Sequence, residues 1–256
     1  MRKIVTINKK LEFDAELKEI QTSVEEIKMN GIMDRVETKV FPQDKKIAGY
    51  NVFNVVYYKK YNILGMVEGK PFESILRKYE IPLLVDDSKK YVLSYCTFKG
   101  IIARAALKRI RKDTAIKCAP VKMDLFQVYT CILKNISDVE VFSGWFSKLG
   151  EQLQNALLQG SNVNEDNDWT RYKNKRGAEL KNIQLRFFDD DYVNGSIIVS
   201  ISSRGFIFTN SPITEKDFFA LVEKVIDALD KEGLILDAEE EKEEVATIYV
   251  DDQGNE

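Results

Sequence analysis

Residues 196–233 constrain the fold more than any other stretch, because they read as a β-hairpin running into one long helix. Ile197, Val199 and Ile201 alternate with Ile198, Ser200 and Ser202, the period of two of a half-buried strand. Ser203-Arg204-Gly205 supplies a tight turn, and Phe206 to Thr209 returns as the partner strand. Thr214 then stands three residues before Asp217, a form of the capping box. Phe218, Leu221, Val222, Val225, Ile226 and Leu229 follow at helical spacing, and Gly233 closes the helix. A sheet with a helix on one side keeps its other side available to a ligand.

The rest of the chain alternates strand and helix signals. Arg2 to Ile7, Val36 to Phe41 and Tyr50 to Tyr61 read as strands, the last rich in β-branched and aromatic residues. Phe13, Leu17, Ile20, Val24 and Ile27 fit a helix face ended by Asn30-Gly31. Pro71 opens a short helix to Tyr79, and residues 81–85 and 91–98 form a hairpin around Asp86-Asp87-Ser88. Residues 99–112 are the strongest helix of the middle, with Ala103, Ala106, Leu107 and Ile110 as its apolar stripe. Residues 121–133 read as one long strand, residues 139–158 as a helix, and residues 180–188 as a strand. Residues 160–168 form a polar loop. The implied division is an α+β lobe over 1–115, a second over 116–236 and an acidic tail over 237–256.

Charge is unevenly spread. Residues 237–256 hold nine acidic residues and one lysine, a net charge of −8; the whole chain is −3, so residues 1–236 carry +5. The tail reads most simply as a disordered, solubilising segment; the alternative is that it competes with a polyanion for the basic body. Residues 96–122 contain eight Lys or Arg and one Asp, and residues 171–186 contain six and one Glu. Clustered cations attract phosphates because neutralising them releases condensed counterions. Lys99, Arg104, Lys108 and Arg111, with Arg171, Lys173, Lys175 and Arg176, are the candidate phosphate contacts.

The chain has no histidine, which removes imidazole bases, Ser-His-Asp triads and imidazole zinc sites. Cys96, Cys118 and Cys131 lack paired spacing and read as free buried thiols of an intracellular, reducing compartment. The opening MRKIVTINKK lacks the apolar core of a signal peptide, and no apolar run approaches the ~20 residues of a membrane span. Phosphate-cradling glycine motifs are absent. Asp189-Asp190-Asp191 reads as a turn rather than a magnesium site. Asp168, Glu179 and Lys181 loosely echo a metal nuclease, the third reading of the chain.

From Val121 onward the order strand, helix, strand, hairpin, long helix resembles one repeat of the TATA-box-binding protein saddle, including its relatives in large DNA viruses. Residues 198–209, IVSISSRGFIFT, carry the likeness, which covers residues 121–236. Ile201 stands where the family has a groove-wedging Phe, and Asn210 where it has a Gly. The resemblance implies a transcription factor touching duplex DNA through Ser200, Ser202, Ile207 and Thr209. The expectations are therefore an α+β protein, a mostly antiparallel sheet with helices packed on one face, and a non-enzymatic nucleic-acid binder without cofactor or metal. The alternative is a protein-interaction module, such as an assembly factor or a viral inhibitor of a host protein.

Overall fold

Alternation builds the strands of this chain, and side-chain caps at Asp124, Asp166 and Thr214 set off three of the described helices. The structure is a computed structural model that describes residues 2–97 and 100–238. The strands begin with β1 (Lys3–Glu12), β2 (Gln21–Met29), β3 (Ile32–Ile47), β4 (Tyr50–Tyr61), β5 (Gly65–Val67), β6 (Lys70–Phe72), β7 (Ile75–Val85) and β8 (Tyr91–Cys96). Helix α1 (Gly100–Asp113) leads to β9 (Lys117–Lys122), α2 (Leu125–Asn135), β10 (Val139–Ser147), β11 (Asn155–Gln159) and α3 (Asn167–Lys173). The chain then runs through β12 (Glu179–Phe188), β13 (Ser196–Ser202), β14 (Phe206–Thr209), α4 (Glu215–Lys231) and β15 (Leu236–Asp237).

The architecture is α+β, as expected. Among the described residues thirteen strands share one sheet, whose path is β11-β10-β12-β13-β14-β1-β8-β7-β4-β3-β2, with β9 attached at β1 and β15 at β9. β1 pairs antiparallel with β8 on one edge and with β14 and then β9 on the other. The sheet thus passes unbroken through the expected lobes 1–115 and 116–236. Of the acidic tail, only Asp237 and Ala238 are described; Asp237 pairs with Val121 and its carboxylate meets Lys9 at 2.8 Å. The expectations for residues 239–256 lie outside the described residues.

Four local readings are corrected. The helix expected over residues 13–27 is largely β2, and Asn30-Gly31, at φ 46° and 84°, is the two-residue turn of the β2–β3 hairpin. The short helix over 71–79 is β6 and the start of β7. The strand expected over 121–133 is mostly α2: Asp124 caps it by accepting from the Phe126 N–H, and Gln127 reaches back to the same carboxylate at 3.2 Å. The helix over 139–158 is β10 and β11, joined by a connection in which Lys148 and Gly150 adopt positive φ.

Side-chain parity sorts the sheet into two faces. On the back, Val5 and Ile7 of β1 join Val199, Ile201 and Ile207 under the apolar sides of α2 and α4. Trp169 of α3 joins them, edge-on to Phe146 and Tyr129. On the front, Phe53, Val55, Ile81 and Leu83 of β4 and β7 pack against Ile102, Ala106 and Ile110 of α1. The helices therefore divide between the faces, correcting the expectation that all pack on one. In VFNVVYY of β4 both parities are apolar, so the strand itself does not say on which side its helix sits.

Candidate functional site

Helix α1 covers the front of the N-terminal strands, while α2 to α4 cover the back of the C-terminal ones. Among the described residues no helix lies over the front of β10 to β13, and α1 reaches β14 only at the Phe206 ring, through Gly100 and Arg104. Strand register determines what stands there. One row crosses from Leu157 and Trp145 through Asn182 and Ser202 to Phe206. The next runs through Gln159, Ser143, Gln184, Ser200, Phe208 and Ile4. A third places Glu140 beside Arg186 and Ile198.

Large side chains flank this surface and small polar ones floor it. Ser143 and Ser200 are buried between their taller neighbours, and Asn182, Gln184 and Ser202 are half-buried. Phe206 and Phe208 form one flank, and Trp145, 50% exposed, the other. Three guanidinium groups lie over rings: Arg2 at 4.7 Å from the Phe208 centroid, Arg104 at 4.6 Å from Phe206, and Arg186 at 4.2 Å from Phe142. Such pairs contribute about 0.5–1 kcal/mol when exposed and hold the planar cation flat on the ring. Arg104 also donates to the backbone oxygens of Val121 and Arg204, tying α1 to the hairpin turn. Arg186 donates to Glu140 at 2.7 Å, and Ser161 donates to the other oxygen of that buried carboxylate.

The structure separates the two basic clusters of the sequence. Arg104 borders the trough from α1, with Lys108 and Arg111 farther along the same half-exposed stripe. Lys99 lies outside the described residues. Arg171, Lys173, Lys175 and Arg176 are exposed but belong to α3 and the turn after it, on the back. There Arg171 pairs with Asp168 at 3.1 Å, and the Lys173 ammonium reaches the Tyr129 hydroxyl at 3.4 Å. Ser200 and Ser202 do line the open face. Ile207 and Thr209 do not: Ile207 packs in the back-face core, and Thr209 is equally buried and donates to the Ile198 carbonyl at 2.7 Å.

The hairpin loop explains that correction. Ser203-Arg204-Gly205 is a three-residue loop with Gly205 at φ 73°, and it sets Ile201 opposite Ile207. Once Ile201 is in the core, Ile207 must be too, and the front positions of β14 pass to Phe206 and Phe208. Those two rings, together with Arg2, Trp145, Asn182, Gln184 and Arg186, were missed by the sequence reading. Only the loop count could have found the phenylalanines; the others depend on pairings between strands distant in sequence.

The remaining acidic candidates sit in local contacts. Glu179 is held by Lys148 and Lys181, whose hydrogen bonds keep its carboxyl below the usual range. Asp189 accepts from the Asp191 N–H at 3.0 Å, a turn contact. Among the described residues, no three His, Cys, Asp or Glu side chains gather as metal ligands. The three cysteines are buried and form no disulfide, and burial pushes the Cys118 thiol up to about 12. No helix of the described residues is long and apolar enough to cross a membrane. No protein-family model matches the chain, and no curated protein or solved structure matches it.

Proposed function

We propose that this chain binds nucleic acid on the front of β10 to β14, without a catalytic step. The observation that carries the reading is the exposed Arg2 guanidinium lying over Phe208 on that open sheet, while Arg104 spends N–H groups on the Val121 and Arg204 carbonyls. An arginine lying flat on a ring offers its N–H edge to a phosphate while the ring face meets a base. The net charge of +5 on residues 1–236 supports the same reading, since it raises the local concentration of a polyanion. The likeness to the TATA-box-binding protein enters only through the β13–β14 hairpin and α4. A saddle would keep its front open across the whole sheet, and here α1 occupies half of it.

Fluorescence anisotropy with labelled DNA and RNA at rising salt tests the proposal. The affinity should fall linearly on logarithmic axes, with a slope of about −0.7 to −0.9 per phosphate neutralised. Arg2→Ala should reduce that slope by about one contact. Absence of binding to every nucleic acid at low salt overturns the reading.

A second reading is favoured by a different surface. Ile32, Met33, Ile63, Leu64, Met66 and Val67 are all exposed near the β2–β3 turn and the β5–β6 hairpin. Asn30 ties the two segments together by accepting from the Glu73 and Ser74 N–H groups at 2.8 and 2.9 Å. An apolar patch of this kind on a soluble surface marks a protein contact, in keeping with an interaction module.

A further inference from the structure

We infer that the front trough takes a single strand rather than a duplex, laid across β14, β13, β12 and β10 with a base stacked on Trp145. The inference rests on the reading of this face as a nucleic-acid surface and names its ligand.

The first argument is the distribution of ring faces. Phe206 and Phe208 stand on one flank and Trp145 on the other, three strand spacings apart, or about 14 Å. Side chains between them are short or amide-bearing: Ser200 and Ser202 on β13, Asn182 and Gln184 on β12. Aromatic flanks over a low polar floor accept flat rings that enter face-on. In a duplex those faces are hidden in the base stack, and exposing them means unstacking a step. A single strand presents them at no such cost, and stacking on protein rings is tolerant of base identity.

The floor supplies the second argument. Asn182 and Gln184 carry both donors and acceptors on half-buried side chains, matching the Watson–Crick edges that only an unpaired base offers. Charge is the third. Exposed Arg2 lies at the phenylalanine flank, whereas Arg186 is neutralised by Glu140 at the opposite side of the floor. The backbone of the strand is therefore placed along β14, with its bases directed towards β10.

Trp145 provides a direct readout, because the chain has only two tryptophans and the other, Trp169, is buried in the back core. The probe is an oligodeoxythymidine of about twelve nucleotides, a length within the range for single-strand sites. Titrating it into the full chain should quench the emission that is present in the wild type and missing from Trp145→Phe. By anisotropy, Trp145→Ala should weaken binding about tenfold, a typical loss for one stacked base, and Trp145→Phe should restore most of it. The same sequence annealed to its complement should bind more weakly at equal salt. Thermal melting of both variants guards against misfolding, and Trp145 is half-exposed, outside the packed core. Duplex binding as tight as single-strand binding, or Trp145→Ala without effect, overturns this inference while leaving the nucleic-acid reading in place. No binding to any nucleic acid overturns both.

Discussion

Gly144 lacks a side chain because Trp169 occupies the space one would need. A β-carbon there would lie 2.3 Å from Cζ3 of the indole and 2.7 Å from Cη2. The ring cannot retreat easily, since Phe146 and Tyr129 meet it edge-on at 4.9 and 5.4 Å. Gly144→Ala should therefore destabilise the protein by about 1–3 kcal/mol through overpacking, read as a lower urea midpoint with an unchanged slope. A midpoint equal to wild type would show that the indole can shift. Nothing in the sequence around Gly144 announces this, because the indole comes from a loop helix 25 residues later. Other single residues were legible in kind but not in role. Asn30-Gly31 marks a chain reversal, yet the same pair closes a helix or turns a hairpin, and only the partner strand decides. Ile201 shares a buried side with Ile197 and Val199, as alternation requires, and Ile207 across the turn joins it, which only the loop count reveals.

At the scale of elements, legibility followed the agreement between local signals. In α4 they agree: the Thr214 hydroxyl accepts from the Asp217 N–H at 3.1 Å, and eight residues of one side are buried. Gly233 at φ 68° lets the Leu234 N–H return to the Leu229 carbonyl at 2.9 Å. Thr214→Ala should cost about 1 kcal/mol, the usual effect of losing an N-cap; a chemical-denaturation midpoint unchanged within error would rule that role out. In α2 the signals conflict. Its Val, Ile, Tyr, Phe and Thr content favours strand, whereas Leu125, Val128, Tyr129 and Ile132 recur at helical spacing behind Asp124. Spacing and cap prevailed over composition because α2 has α4 and the sheet to bury against. The reverse happened at β10, where Phe142 and Phe146 mimic a helix face four residues apart. A register shift between Val141 and Ser143 sends Phe142 to the front and leaves Phe146 in the back core, so one spacing served two faces.

The whole molecule buries several acids that ionise only at high pH. Burial, then Glu215, pushes Tyr95 up to about 12, and burial pushes the Cys118 thiol to a similar value. Burial raises Tyr91 as well, with Asp230 accepting its hydroxyl at 2.7 Å. Each group holds its proton more tightly in the folded state than in the unfolded chain, where tyrosine titrates near 10 and cysteine near 9. The stability they contribute is complete below those values and is lost as pH climbs from there towards about 12. Urea midpoints measured from pH 8 to 11.5 should hold level at first and then fall steeply; a level profile throughout would contradict the burial of these groups. Position in the sheet has a consequence of a different kind. Strand β1 precedes both β9 and β14 in the chain, yet its Val5 is opposite Ile207 and its Lys9 opposite Ala119. Until β9 and β14 are made, one margin of β1 has nothing to pair with, and a bare strand margin invites the wrong neighbour. Completing the sheet must await some two hundred residues of further chain, a non-local pairing that makes assembly slow.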